Sequence, residues 1–138
     1  MQFPWPTLLV LVVNVAFEGF MAYCGLFRHE HKAMATMALL VGHSSASLDL
    51  WATGLAGVVV SGMAAIVAAA MGASPSSGAV ALAGFIAYHG KLGLWSYTQR
   101  HSNWERFVGV HGVLGVLSLI GCLLAVSPKK KHAKRKGH

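Results

Sequence analysis

The sequence predicts an all-α fold, an integral membrane four-helix bundle that crosses the bilayer four times. Of its 138 residues 55% are hydrophobic and only four are acidic, and a soluble domain of this size cannot bury so much apolar surface. Four stretches, roughly 6–27, 46–72, 78–98 and 106–127, are long enough to cross ~30 Å of hydrocarbon at ~1.5 Å per residue. We therefore expect a multi-pass protein with a four-span domain over 1–128 and a basic tail over 129–138.

The first two predicted spans are separated by a short apolar piece. The run from Pro6 to Phe27 has neither a basic region before it nor a small-residue cleavage site, so it is predicted to be a span and not a secretory signal. Residues 33–41 are also apolar, and they either extend the second helix or lie along the membrane interface. The sequence Gly42-His43-Ser44-Ser45 is the expected bend or cap before the second span.

Turns and small residues organise the rest of the chain. Residues 72–78 form an uncharged turn rich in Gly and Ser, and residues 100–103 form a polar turn before the last span. Glycines recur within the spans, among them Gly54, Gly57, Gly62, Gly115 and Gly121. Small residues let helices approach closely where no hydrophobic effect drives their association. The pattern therefore indicates a tightly packed bundle.

The basic residues are concentrated in the tail, which holds six of the eleven Lys and Arg side chains. By the positive-inside rule this end faces cytoplasm, matrix or stroma, and four spans put residue 1 on the same side, here called side A. The opposite side, side B, carries a competing set of cations, Arg28, Lys32, Arg100 and Arg106. The tail suits anionic membrane lipid or an acidic partner, and we expect no binding of nucleic acid.

Two histidines, His43 and His111, stand at the side-B ends of the second and fourth predicted spans. Each alone is compatible with a plain interfacial role, but two neutral imidazoles facing each other across a bundle are how a b-type haem is held from both axial positions. We therefore predict one haem b with His43 and His111 as iron ligands. The side-B cations would neutralise the haem propionates or attract an anionic reductant.

Three further ionisable residues lie deep within the predicted spans. Glu18 is near the middle of the first span, and His89 and Lys91 are in the third. Charges at such depth are costly and usually face the bundle interior in pairs. We therefore predict an ion pair between Glu18 and Lys91. For His89 three roles stay open: a buried hydrogen-bonded residue, a ligand, or a proton carrier.

The chain resembles the ascorbate-reducible transmembrane b-type cytochromes, also called transmembrane ascorbate ferrireductases. The resemblance runs through Trp5-Pro6-Thr7-Leu8-Leu9, Glu18-Gly19, Tyr23, Phe27-Arg28, Lys32 and His43, and then through His111-Gly112-Val113-Leu114-Gly115. In that family the first core span opens with a histidine, where this chain has Trp5. The partner of that position falls near Ser77 in this chain, so the whole side-A ligand pair is missing.

The resemblance implies a one-haem relative that keeps the side-B pair, His43 and His111. It also implies that Arg28 and Lys32 are similar to the basic residues that receive ascorbate in the family. Side B would then be cytosolic, which conflicts with the basic tail. The family has additional outer helices that this chain lacks, and His89 has no counterpart in it.

Three functions follow from these patterns. The first is local electron exchange by one b-type haem, because one haem near one face does not carry electrons across ~30 Å of membrane. The alternative is a non-catalytic accessory subunit of a larger membrane complex or a homo-oligomer, which fits the short chain and the glycine-rich helix faces. The third is a proton or ion pathway through Glu18, His89 and Lys91.

Overall fold

Five helices make up the described part of the chain. The computed structural model describes residues 3–100 and 103–127, so the predicted tail over 129–138 lies outside the described residues. In order, the helices are α1 (Trp5–Phe27), α2 (Lys32–Val41), α3 (Ser45–Ala70), α4 (Ser76–Gln99) and α5 (Trp104–Val126). The predicted helical class is therefore confirmed.

The helix ends follow local sequence signals. Pro6 lies in the first turn of α1, where its missing N–H costs nothing. The Ser44 hydroxyl accepts a hydrogen bond from the Ser47 N–H at 3.1 Å and caps α3. Gly42 ends α2 with a φ of 108°, a conformation that favours glycine. The predicted bend at residues 42–45 is thus confirmed, and residues 32–41 form a separate ten-residue helix instead of extending α3.

The four long helices alternate in direction. Gly25 lies against Ala52 and Gly62 lies against Val15, so α1 and α3 are antiparallel. Across α4 and α5, His89 meets His111 and Ala79 meets Cys122, again in antiparallel register. Side B is the end of this bundle at which α1 and α4 end and α3 and α5 begin.

The expected count of four spans is only partly matched. Three helices among the described residues, α1, α3 and α5, are long and apolar enough to cross a membrane. The fourth, α4, is also long at 24 residues, but it carries His89 and Lys91 and is less apolar. The short α2 is apolar too, at ten residues.

The bundle is apolar on its outer surface, and several polar side chains are buried within its mainly apolar interior. Large hydrophobic side chains such as Leu50, Val80 and Ile120 are exposed, whereas the described buried polar or charged residues are Thr7, Asn14, Glu18, His89, Ser96, His111 and Ser118. In water this distribution would expose a large apolar surface. It is the distribution expected of helices that face lipid and keep their polar groups away from it.

Candidate metal centre

Three ionisable side chains meet in the interior of the bundle. Glu18 of α1 is 0% exposed, His89 of α4 is 1% exposed and His111 of α5 is 5% exposed. One ligand atom from each lies within 4.8 Å of the other two. Each residue comes from a different helix, so tertiary packing builds the cluster.

The two imidazole rings contact each other directly. The Nδ1 atoms of His89 and His111 are 2.9 Å apart, and the ring centroids are 5.2 Å apart. Gly115 of α5 lies beside this contact, where an added Cβ would meet the Cβ of His89 at 3.5 Å, an ordinary van der Waals distance. A larger side chain at residue 115 would press against the helix that carries His89.

Glu18 faces the same point but has no hydrogen-bond partner. Its Oε1 lies 3.6 Å from Nδ1 of His89, beyond hydrogen-bond range, and neither carboxylate oxygen accepts a hydrogen bond of normal geometry. The Tyr88 hydroxyl is a further neighbour of the carboxylate. Buried polar groups are nearly always satisfied, so a fully buried carboxylate without a partner indicates a missing one.

The neighbouring Asn14 fixes the orientation and tautomer of His89. The Asn14 amide nitrogen donates to the Val10 carbonyl at 2.9 Å and to the Ser118 hydroxyl at 3.2 Å. Its Oδ1 therefore faces Nε2 of His89 at 2.7 Å and accepts a hydrogen bond from it. With that proton on Nε2, Nδ1 of a neutral His89 carries a lone pair, and without a metal this lone pair accepts a hydrogen bond from the Nδ1–H of His111 at 2.9 Å.

This arrangement has the chemistry of a metal site. A metal-binding histidine almost always donates its other ring N–H to an oxygen, as His89 does to Asn14. Two imidazole nitrogens and one carboxylate are ligands that suit zinc and other divalent transition metals. The candidate site thus comprises Glu18, His89 and His111, with Asn14 as the orienting residue.

The structure does not bring His43 and His111 together. His43 is exposed in the turn before α3 and lines a surface cavity with His29, His31 and Lys32. The ring of His111 instead contacts Phe107, Tyr88 and His89. The two predicted haem ligands therefore occupy different environments.

The predicted Glu18–Lys91 pair is not formed either. Glu18 faces His89, and Lys91 is exposed and lines a cavity between α3 and α4. The physical reason is the helical register: the two α4 residues are about 200° apart around the helix, at ~100° per residue, so they cannot face the same neighbour. Because His89 points inward, Lys91 points away from the cluster.

The cations predicted on side B do not lie together at one site. Arg28 forms an exposed ion pair with Glu30, and this hydrogen-bonded guanidinium lowers the pKa of the Glu30 carboxyl below its ordinary value. Lys32 begins α2 and lines the same surface cavity as His43. Arg106 is the member of the set that stays near the cluster, because it lines a cavity of about 330 Å³ together with His111.

The sequence reasoning did not single out Asn14, Ser118 or Tyr88. A signal for Asn14 was present, because Asn14 and Glu18 are four residues apart and so lie on one face of α1. Likewise Ser118 is seven residues from His111 on α5, two turns along the same face. The sequence thus indicated an interior polar face on α1 and on α5, but it did not indicate which residues these faces contact.

Comparison of the chain with known protein families, with curated proteins and with solved structures finds no match.

Proposed function

We propose that this chain is a multi-pass membrane protein that binds one divalent transition-metal ion through Glu18, His89 and His111. The observation that carries the proposal is the fully buried Glu18 carboxylate, which accepts no hydrogen bond of normal geometry and faces two imidazole nitrogens. A metal ion among the three ligand atoms would supply the partner that Glu18 lacks. It would also replace the proton between the two Nδ1 atoms, with His111 in the tautomer that carries its proton on Nε2.

We propose that four helices cross the membrane: α1, α3, α4 and α5. The 24 residues of α4 span ~36 Å, enough for the hydrocarbon core. This helix packs most extensively against α5, and its buried face carries His89 and Ser96. Its lower hydropathy therefore arises partly from polar groups that are directed away from lipid, as in other functional membrane helices.

The geometry suits an ion such as zinc. Tetrahedral coordination with bonds of ~2.0–2.1 Å places ligand atoms ~3.3 Å apart. The distances of 2.9 Å between the two imidazole nitrogens and 3.6 Å from His89 to Glu18 lie on either side of that value. Small side-chain shifts would therefore complete the site. Three protein ligands leave one position for water or an anion, as in exchangeable or reactive sites.

Access to this site is favoured from side B. His111 lines the cavity of about 330 Å³ that also includes Asn103 and Arg106 at the start of α5. In the opposite direction Leu11, Leu82 and Phe85 are completely buried and form an apolar layer. We therefore favour a site that exchanges its ion with side B alone. The ion pathway considered above would have to pass this apolar layer.

The cluster suits a bare ion better than a haem. His89 already uses its Nε2 to donate to Asn14, and its Nδ1 is adjacent to the ring carbon that carries the side chain. A macrocycle approaching Nδ1 would collide with that side chain. The cytochrome resemblance and the His43–His111 haem nevertheless remain a prediction with a distinct optical signature, so the same experiment tests both.

The test is the metal content and absorption spectrum of the full chain purified in mild detergent from metal-replete and haem-replete cells. We expect about one metal ion per protein and no Soret band. His111→Ala should lose the ion, whereas the matched control His43→Ala should keep it. A Soret band lost in both variants would favour the haem instead. Protein that binds neither, and co-purifies with other membrane subunits, would favour the accessory role.

Replacing Asn14 with alanine should weaken metal binding ~10–100-fold, the usual cost of removing an orienting partner of a metal-ligating histidine. The reason is that Nε2 of His89 loses its acceptor, so the tautomer with a free Nδ1 is no longer favoured. Competition with a metal-responsive chelator dye measures the dissociation constant.

The matched control for Asn14 is Ser118→Ala. It removes the hydroxyl that accepts one hydrogen bond from the Asn14 amide nitrogen, and it leaves the contact between Asn14 and His89. We expect a smaller loss of affinity in this variant. Equal losses in the two variants would contradict the orienting role and point to a general loosening of the α1–α5 contact.

A further inference from the structure

We propose a second binding site, for a single-chain carboxylate amphiphile such as a fatty acid, in the side-B half of the groove between α3 and α4. The site is a cavity of about 440 Å³ whose lining includes Trp51, Tyr88, Lys91 and Trp95. This volume is within the range of small-ligand sites. The proposal uses no ligand of the candidate metal centre and is independent of it.

The charge of the site comes from Lys91. This residue is exposed on α4, eight residues or about 12 Å from the side-B end of the helix at Gln99. No carboxylate of the described residues lies within ion-pair distance of it. An ammonium at such depth is costly unless it meets an anion or reaches the interface along its own stem. Lys91 is also the one cation that lines the described cavity.

Two features of α3 add further positive character. The indole N–H of Trp51 is buried and has no acceptor at hydrogen-bond geometry, although Tyr88 is nearby. Ser47, in the first turn of α3, also lines the cavity. The positive end of the α3 dipole therefore lies at this cavity and favours an anion.

A carboxylate matches this set of groups better than a phospholipid phosphate. One of its oxygens can pair with the Lys91 ammonium while the carboxylate as a whole faces the positive end of the α3 dipole. The phosphate of a phospholipid stays at the polar surface, whereas a carboxylic acid can become neutral and cross apolar layers. The apolar lining, including Leu50, Leu55 and Leu92, is suited to the acyl chain.

The test uses quenching of tryptophan fluorescence by brominated fatty acid in the full chain, purified and reconstituted in zwitterionic lipid. Trp51 and Trp95 line the cavity and report occupancy. We expect saturable quenching, and an increase of ~10–100-fold in the half-saturation concentration for Lys91→Met, the range for loss of a charged hydrogen bond. Lys32→Met is the matched control, because Lys32 lies outside this cavity.

Two ligand controls act on the unmodified chain and so do not depend on the folding of a variant. The methyl ester of the same brominated acid should bind at least about tenfold more weakly. Unbrominated phosphatidylglycerol should not relieve the quenching by the brominated acid. Equal quenching by acid and ester, displacement by phosphatidylglycerol, or an unchanged half-saturation concentration in Lys91→Met would each overturn the proposal.

Discussion

Replacing Glu18 with methionine is expected to make the metal-free protein more stable and to abolish its stabilisation by metal. The carboxylate is completely buried and unpartnered, so it weakens the metal-free fold. Removing an unsatisfied buried polar group of this kind gains about 1–3 kcal/mol in the free energy of unfolding. Methionine fills similar space with a flexible apolar chain and creates no new unpaired group.

The opposite effect is expected when metal is present. An ion at 1,000 times its dissociation constant stabilises a folded protein by about 4.1 kcal/mol, which exceeds the gain of about 1–3 kcal/mol from Glu18→Met. This stabilisation by metal requires all three ligands. The unmodified protein should therefore overtake Glu18→Met once metal is added. The measurement is the thermal midpoint in detergent, with chelator and with a zinc titration.

Glu105→Gln is the control for this experiment. It removes an acidic side chain that is exposed in the first turn of α5, so neither the metal-free midpoint nor the response to metal should change appreciably. A lower metal-free midpoint in Glu18→Met, together with a retained response to metal, would show that Glu18 is a structural residue and not a ligand. A ligand is distinguished from a packing residue by the expected change of order, in which Glu18→Met is more stable than the unmodified protein without metal and less stable with it.

The second large effect is expected at the contact between α1 and α3. A Cβ added at Gly25 would lie 2.6 Å from the Cβ of Ala52 and 2.9 Å from the ring of Trp51. The Cβ of Ala52 cannot rotate away, so the two helices must separate or shift. We expect Gly25→Ala to destabilise the protein by about 1–3 kcal/mol, the usual cost of overpacking.

Gly57→Ala is the matched control on the facing helix. No atom lies within 4 Å of the Cβ that it would add, so alanine should be neutral or stabilise α3 by up to about 1 kcal/mol through its higher helix propensity. Thermal unfolding of both variants in the same detergent tests the pair. A stable Gly25→Ala protein would mean that α1 and α3 do not pack in this register.

The positions of helices could be predicted from the sequence because they depend on local composition. The apolar runs predicted the four long helices α1, α3, α4 and α5, and Gly42 with Ser44 predicted the break before α3. The span predicted at α4 is not confirmed, because polar residues lower the hydropathy of a helix regardless of which face they occupy. Local composition also left the role of residues 33–41 open, and these lie in α2.

The grouping of polar side chains could not be predicted in the same way. Depth in the membrane suggested pairing His43 with His111, and opposite charge suggested pairing Glu18 with Lys91. Neither depth nor charge specifies the rotation of a helix about its axis. The observed contact between His89 and His111 depends on that rotation and on the packing of α4 against α5. A shift of one residue along an α-helix rotates the side-chain position by ~100° about the helix axis and so changes the residue that it contacts.

The sequence by itself therefore determined a helical chain with membrane-spanning segments and polar residues inside them, because hydropathy and helix signals act over a few turns. The tertiary structure alone decided that Glu18, His89 and His111 form one buried cluster, and that Lys91 and His43 lie elsewhere. The physical reason is that a coordination site requires atoms from separate helices within a few ångströms. Only the packing of those helices fixes such distances.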